Sequence, residues 1–361
     1  KDSYFDNIAN GMEVKLLNVL GKLKSGGLYE FNSLPYIGYT ITALLNLEAF
    51  GSAEVRSEAR DVLDYMNWCY ALGSYKLKHY PPMRRRYDKA GTQGLTTGYQ
   101  SVFMKAWLSY VPVESHVLPE SGYNQNIRHG EVHALMGACM PYRPADKVVS
   151  RIFNKEDGYF VKLGHGAGAC PELFSAGRNY LLSAGGVNRG KRSLIVARPI
   201  CLFLNDTAEN LSSVIHLSGP EGGFMHWNNT GVFKRFACAA GPVFVPASFQ
   251  PLQVRENWSV YAKDSLLIAI YSTPQFGLLA LFEPSDLATL FASSKQGFRE
   301  VDSLFFPATP SNADAALLLS LLMRANPDAD RIKSRFKFPA GRTLSFNVRA
   351  PRDKWVITSE N

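Results

Sequence analysis

Apolar residues recur at helical steps through the first part of this chain and in short β-prone runs through the second, and that change of period limits the fold more than any other feature. Over residues 12–24, Met12, Leu16, Leu20 and Leu23 share one helical face, with Glu13, Lys15 and Lys22 opposite. Gly26 and Gly27 end that helix. A second apolar helix is predicted over 37–50, with Thr40, Ala43, Leu44 and Leu47 at helical spacing. After Gly51, Ser52 is placed to cap a third helix, in which Val55, Ala59, Val62, Met66 and Cys69 repeat at steps of three and four. A fourth is predicted over about 97–111. Connections this short predict antiparallel hairpins.

From about Glu172 the texture changes. The runs 180–182, 194–196, 200–204, 214–217, 243–245, 266–271 and 278–282 are separated by Gly, Pro, Asn and Asp, as in an antiparallel sandwich. One helix, 313–324, interrupts them, and strand resumes at 342–347 and 355–358. The predicted fold class is α+β: an α-helical region over 1–170, then an antiparallel β-sandwich over 171–361, with no strand before residue 100. Two domains also suit a chain of 361 residues that is 46% hydrophobic.

Two stretches concentrate chemistry. The tract 28–36 sets the Glu30 carboxylate, the Asn32 carboxamide, the Ser33 hydroxyl and the Tyr36 phenol just before an apolar helix. Pro35 favours an extended Leu34 and suits a first helical turn, so these groups are predicted at a helix mouth. A purely structural role, with Asn32 or Ser33 as cap and Tyr36 as a core aromatic, explains the same residues. The second stretch, 73–97, lacks periodicity and crowds Lys76, Lys78, His79, Arg84, Arg85, Arg86 and Lys89 between Tyr75, Tyr80 and Tyr87. Pro81 and Pro82 stiffen it, so it is either a solvated charge run or an anion-binding loop.

Other classes are narrowed by what is missing. A net charge of +8 favours acidic partners. The chain has no apolar run of about 18 residues, so no membrane-spanning helix is predicted. Five cysteines with no C-x-x-C pair suggest neither a zinc ribbon nor a redox motif, and at least one is free or pairs between chains. Sequons at Asn205, Asn210, Asn228 and Asn257 point to a secreted protein. A start at Lys1, with no methionine or signal-peptide pattern, suggests a processed chain or a fragment. His129 and His133, with Glu131 between them, do not form the zinc-protease motif, and an isolated pair four apart reads as structural. His165 among Gly164, Gly166 and Gly168 lacks the lysine of a phosphate loop, so nucleotide binding is rejected, and no cofactor or metal is predicted. Stacking on Tyr80 or Tyr87 is the only argument for nucleic acid, and no recognised module surrounds it.

Helical hairpins followed by a large antiparallel region resemble the toroid-plus-sandwich polysaccharide lyases of the heparinase II/III-like and chondroitin-lyase-like group. The residues that carry the resemblance are Glu30-Phe31-Asn32-Ser33 with Tyr36, the loop Arg84-Arg85-Arg86-Tyr87, and the stretch from Ser175-Ala176-Gly177-Arg178 to Gly185-Gly186. About five helices are counted where a full α/α toroid has about twice that number, so the resemblance implies an incomplete toroid, finished by a missing segment or by a second chain. It further implies β-elimination on an acidic, uronic-acid polysaccharide. Such a reaction neutralises the substrate carboxylate, removes the C5 proton and protonates the leaving oxygen. Asn32 is then the carboxylate partner, Tyr36 or Tyr87 base and acid, and His79 a second proton carrier, while Glu30, Arg84, Arg85 and Arg86 bind substrate. Asn32 and Tyr36 are accordingly expected in one cleft with at least one member of the basic loop. Two alternatives stand beside this: a glycoside hydrolase using Glu30 with Asp88 as a weaker partner, and a non-catalytic glycan-binding glycoprotein.

Overall fold

The computed structural model describes residues 3–33, 36–84, 94–109, 128–165, 170–187, 196–197, 199–208, 210–217, 230–283, 286, 310–351 and 353–361. Among the described residues six α-helices come first: α1 (Met12–Gly26), α2 (Tyr36–Phe50), α3 (Ala53–Gly73), α4 (Tyr99–Leu108), α5 (Arg128–Cys139) and α6 (Asp146–Phe153). Ser52 starts α3 by accepting the Val55 amide at 3.4 Å. Gly73 ends it against the sheet, since a Cβ there would stand 2.5 Å from the Phe174 ring. The apolar faces meet in one cluster that includes Leu20, Ile41, Leu45, Val62, Leu63 and Trp107. Each fully buried aliphatic side chain of this kind contributes about 1.5–3 kcal/mol.

Three two-residue strands follow α3: β1 (Ser74–Tyr75), β2 (Lys78–His79) and β3 (Met83–Arg84). They correct the expectation of no strand before residue 100. The β1–β2 hairpin turns on Lys76 and Leu77, both at positive φ (50° and 66°), a geometry for which the usual sequence signal is Asn-Gly. Tyr75 and Tyr80 are buried rather than exposed with the charges around them.

The remaining strands are β4 (Tyr159–Leu163), β5 (Cys170–Gly177), β6 (Tyr180–Val187), β7 (Val196–Ala197), β8 (Ile200–Leu204), β9 (Ile215–Leu217), β10 (Thr230–Phe233), β11 (Phe236–Ala239), β12 (Val243–Phe244), β13 (Gln253–Arg255), β14 (Trp258–Lys263), β15 (Leu266–Thr273) and β16 (Phe276–Phe282). After α7 (Asn312–Ala325) come β17 (Arg335–Lys337), β18 (Thr343–Phe346) and β19 (Ile357–Glu360). The first of the long strands therefore begins ahead of the boundary expected at 170. One six-stranded sheet has the order β12-β9-β8-β6-β5-β4 and a second the order β10-β11-β16-β15-β14-β13. Both are antiparallel throughout, as are the three-stranded β17-β18-β19 and the pairs β1-β2 and β3-β7.

Alternation within the strands sorts side chains into layers. Leu173, Leu182, Leu202 and Ile215 of the first sheet meet Val232, Ile268, Leu279 and Leu281 of the second in one buried cluster. The other face of the first sheet, with Phe174, Ala176, Leu181 and Phe203, packs on Leu72, Tyr75 and Tyr80 from the end of the helical part. The other face of the second sheet is covered by α7 and the three-stranded sheet.

Lys155 ties helix ends together. Its side chain is 1% exposed, and its amine donates to the carbonyls of Ala71, near the end of α3 (2.6 Å), and Arg151 in α6. Burial, then the Arg151 charge, lowers its pKa from 10.5 to about 7. A neutral amine still supplies the two donors required. Because the unfolded chain binds this proton up to about pH 10.5 and the folded chain releases it from about 7, Lys155 makes stability rise with pH across that window. Denaturant unfolding at several pH values checks this: the Lys155→Met variant should be less stable than the parent, by a margin that widens as pH rises from 7.

Candidate functional site

Glu172 is a carboxylate in a strand that is otherwise apolar or small, and it is 3% exposed. In register it lies opposite Leu163 of β4 and Gly185 of β6, so no side chain from β6 crowds it. Two groups satisfy it. His165, just past the end of β4, is bonded through Nε2 to one carboxylate oxygen. Asn32 donates from Nδ2 to the other at 2.5 Å, and also to the Pro82 carbonyl at 3.0 Å. Asn32 holds φ at 53°, the left-handed region that asparagine tolerates better than most residues. A buried carboxylate needs such partners, and both come from segments distant in sequence.

The imidazole is fixed from several sides. Its ring stacks on Phe31 at 4.8 Å and 21°, and its side chain is 9% exposed. Nδ1 has no hydrogen-bond partner among the described residues. Gly27, at φ 64°, lies against it, and a Cβ there would stand 2.5 Å from Nδ1 and 3.1 Å from the Gly164 carbonyl. Gly27→Ala is therefore expected to cost about 1–3 kcal/mol through backbone strain, and to displace His165 as well. Thermal unfolding reads the first effect, and the His165 imidazole resonances read the second.

His165, Glu172 and Asn32 line a cavity of ≈ 30 Å³ together with Gly27, Tyr65, Cys69, Tyr70, His79 and Gln100. That volume holds about two waters, on the basis of roughly 10–15 Å³ each. Burial foremost, then the neighbouring Cys69 one turn along α3 and the Glu172 charge, pushes the Tyr65 phenol up. Cys69 is itself pushed up to about 12, first by burial and then by Glu172. Both stay protonated at neutral pH.

The structure thus brings Asn32 and His79 to one cavity. His79 is buried, its ring 4.4 Å from that of Tyr70, and burial followed by the Lys155 charge lowers it to about 3, so it is neutral. Tyr36 opens α2, is 39% exposed and does not line this cavity. Glu30 is half-buried and its carbonyl accepts the Ser33 amide at 3.3 Å. The Ser33 carbonyl accepts the Ile37 amide at 3.0 Å, while its buried hydroxyl has no partner among the described residues. Arg84 is buried beside the tract: its amide donates to the Phe31 carbonyl at 3.0 Å, and its guanidinium donates to the Tyr29 carbonyl and lies 3.9 Å from the Tyr29 ring centroid. Arg85, Arg86, Tyr87 and Asp88 lie outside the described residues, as do Pro35 and the side chains of His129 and Glu131. His133 is buried, shares a hydrogen bond with Thr42 at 3.4 Å and packs on Tyr39 and Phe103.

Among the described residues no group of three or more His, Cys, Asp or Glu could hold a metal ion, and no helix is long and apolar enough to cross a membrane. None of the five cysteines is in a disulfide. Of the sequon asparagines, Asn205 accepts from the Tyr75 hydroxyl at 2.7 Å and donates to Asp264 at 2.8 Å, whereas Asn210 is exposed and Asn228 lies outside the described residues. The chain matches no family model, no curated protein and no solved structure.

Sequence reasoning passed over Glu172 and Tyr65 and weighed His165 only as part of a glycine run. One signal was present: Glu172 is the sole carboxylate between Cys170 and Gly177.

Proposed function

We propose that this chain is a secreted, carbohydrate-active lyase that cleaves an acidic polysaccharide by β-elimination. The two six-stranded sheets with a shared core are read as its β-sandwich, and α1–α6 as part of an α/α toroid. One observation carries the reading: the His165–Glu172 pair, with the Asn32 amide on the same carboxylate, sits where the α1–α2 connection meets the first sheet. A carboxylate on Nε2 orients the ring and supports a proton on it, leaving Nδ1 to accept one directly or through a single water. In the proposed step the C5–H electrons form the C4=C5 double bond as the C4–O4 bond breaks. His165 takes the C5 proton and the Tyr65 phenol protonates the departing oxygen, each through a cavity water, because the sugar ring stays outside the ≈ 30 Å³ cavity. Arg84, Arg85 and Arg86 supply the positive charge that a uronate needs.

A second reading, a non-catalytic glycan-binding protein, is favoured by the cavity of ≈ 30 Å³, which admits water and not a pyranose ring. Incubation with a panel of uronate polymers separates the two. Ultraviolet absorbance of the unsaturated uronate supports the lyase. New reducing ends without it indicate hydrolysis, and retained binding with no product indicates the non-catalytic reading.

A further inference from the structure

A second groove lies on the opposite face of the first sheet from Glu172. It is lined by Phe160 and Lys162 of β4, Gly185 and Gly186 of β6, Phe233 of β10 and Trp355 ahead of β19, and its volume is ≈ 280 Å³. That is close to the lower end, about 300 Å³, of small-ligand pockets. Three terminal strands meet here: β4 ends one six-stranded sheet, β10 the other, and β19 the three-stranded sheet. Glycine keeps the floor low. A Cβ at Gly186 would stand 2.3 Å from the Cys170 carbonyl and 3.1 Å from the Trp355 ring, so the indole rests directly on backbone.

The walls combine ring faces with ammonium groups. Phe160 and Phe233 meet edge to face at 5.3 Å. Lys162 is exposed and lies 4.4 Å from the Trp355 ring centroid and 5.9 Å from that of Phe160. Among the described residues Lys162 has no carboxylate partner within ion-pair distance, whereas Lys234, 4.9 Å from the Phe233 ring, pairs with Glu360 at 3.6 Å. Glu360 is also held by Arg342 at 3.1 Å, so the one carboxylate among the described residues lining the groove is neutralised twice. Half-buried rings suit the apolar C–H face of a pyranose, and an ammonium without an acidic partner suits its carboxylate.

The geometry points to a second saccharide site, a non-catalytic subsite in this groove for an acidic sugar residue, with Lys162 as its anion contact and Trp355 as its stacking platform. The choice of sugar rests on the proposed action on acidic polysaccharide, although the site itself is separate from the His165 cavity. The test titrates His165→Gln protein, and the same protein carrying Lys162→Glu, with tetragalacturonate, an alginate tetramer and a hyaluronan tetramer. Fully methyl-esterified tetragalacturonate is the neutral control. At least one acidic tetramer should bind the His165→Gln protein, and Lys162→Glu should weaken it about tenfold or more, equivalent to 1.4 kcal/mol. The methyl ester should bind no better than the charge-reversed protein does. Lys162 is exposed, so folding is expected to survive, and Lys162→Gln should give an intermediate affinity. Equal affinity with and without Lys162→Glu, or binding of none of the three tetramers, overturns the proposal. Lys162-dependent binding, together with no unsaturated product from the parent protein that retains His165, leaves the groove standing and removes the lyase.

Discussion

Replacing His165 with glutamine is expected to lower turnover of a uronate polymer by about 10²–10⁴-fold, the usual contribution of one positioned acid or base. Glutamine is chosen because it separates chemistry from packing. Its amide can donate to Glu172 as Nε2 does, and its chain can still cover Phe31, so the buried carboxylate keeps a partner. What it lacks is a ring nitrogen that can take a proton from one partner and pass it to another. Turnover of the parent and variant, measured with thermal unfolding of each, decides the matter. Loss of turnover at an unchanged melting temperature assigns proton transfer to the imidazole. Turnover within about threefold of the parent removes His165 from the chemistry, and the lyase reading then loses its base.

The contrast between what the sequence revealed and what it hid has a physical cause. Helices α1 to α4 were legible as elements, and in α3 Val55, Ala59, Val62 and Met66 mark the buried stripe at the helical repeat, but α2 buries Ile37, Ile41, Leu44 and Leu45 with the expected Ala43 exposed, and the expected Met12 of α1 is exposed too. Strands β15 and β16 were legible because they are almost wholly buried and read as continuous apolar runs, whereas β5 and β14 were not expected. The β1–β2 hairpin was not, because Lys76 and Leu77 take positive φ without the glycine or asparagine that would announce it. Tertiary contacts hold it instead: Tyr75 bonds to Asn205, and the Lys76 amide to the Ile152 carbonyl.

Site residues divide along the same line. Asn32 stood out because a helix mouth is a local feature, and helix mouths collect polar groups for local reasons. Its partner could not stand out. Glu172 is 140 positions away, and Pro171 together with the preceding glycines makes its strand look like a loop. His79 drew attention as a titratable residue in a basic loop, yet the fold turns it inward against Tyr70, where burial keeps it neutral. Local pattern therefore located the mouth, and long-range packing decided which side chains face one another across it.

Phe236→Ala should be the most damaging single change outside the site, with a loss of about 3–5 kcal/mol of unfolding free energy, as for other buried phenylalanine truncations. Phe236 is fully buried on β11, and its ring faces three others: Phe336 at 5.1 Å, Phe346 at 5.4 Å and Phe338 at 6.2 Å. All three lie in or next to β17 and β18, so this one side chain joins the three-stranded sheet to the second six-stranded sheet. Phe276 cannot fill the gap, since it is stacked on Phe346 at 5.9 Å. Half-buried Phe160, at the groove, supplies the comparison, and its truncation should cost clearly less. Urea unfolding of the two variants tests the difference, with an unchanged denaturant slope expected if both still unfold in one step. A loss below about 1 kcal/mol for Phe236→Ala would mean that the cavity collapses and that this cluster is not what holds the two sheets together. Below its melting temperature the variant should keep its turnover, because Phe236 lies on the far face of the second sheet, a layer beyond the one that carries Glu172.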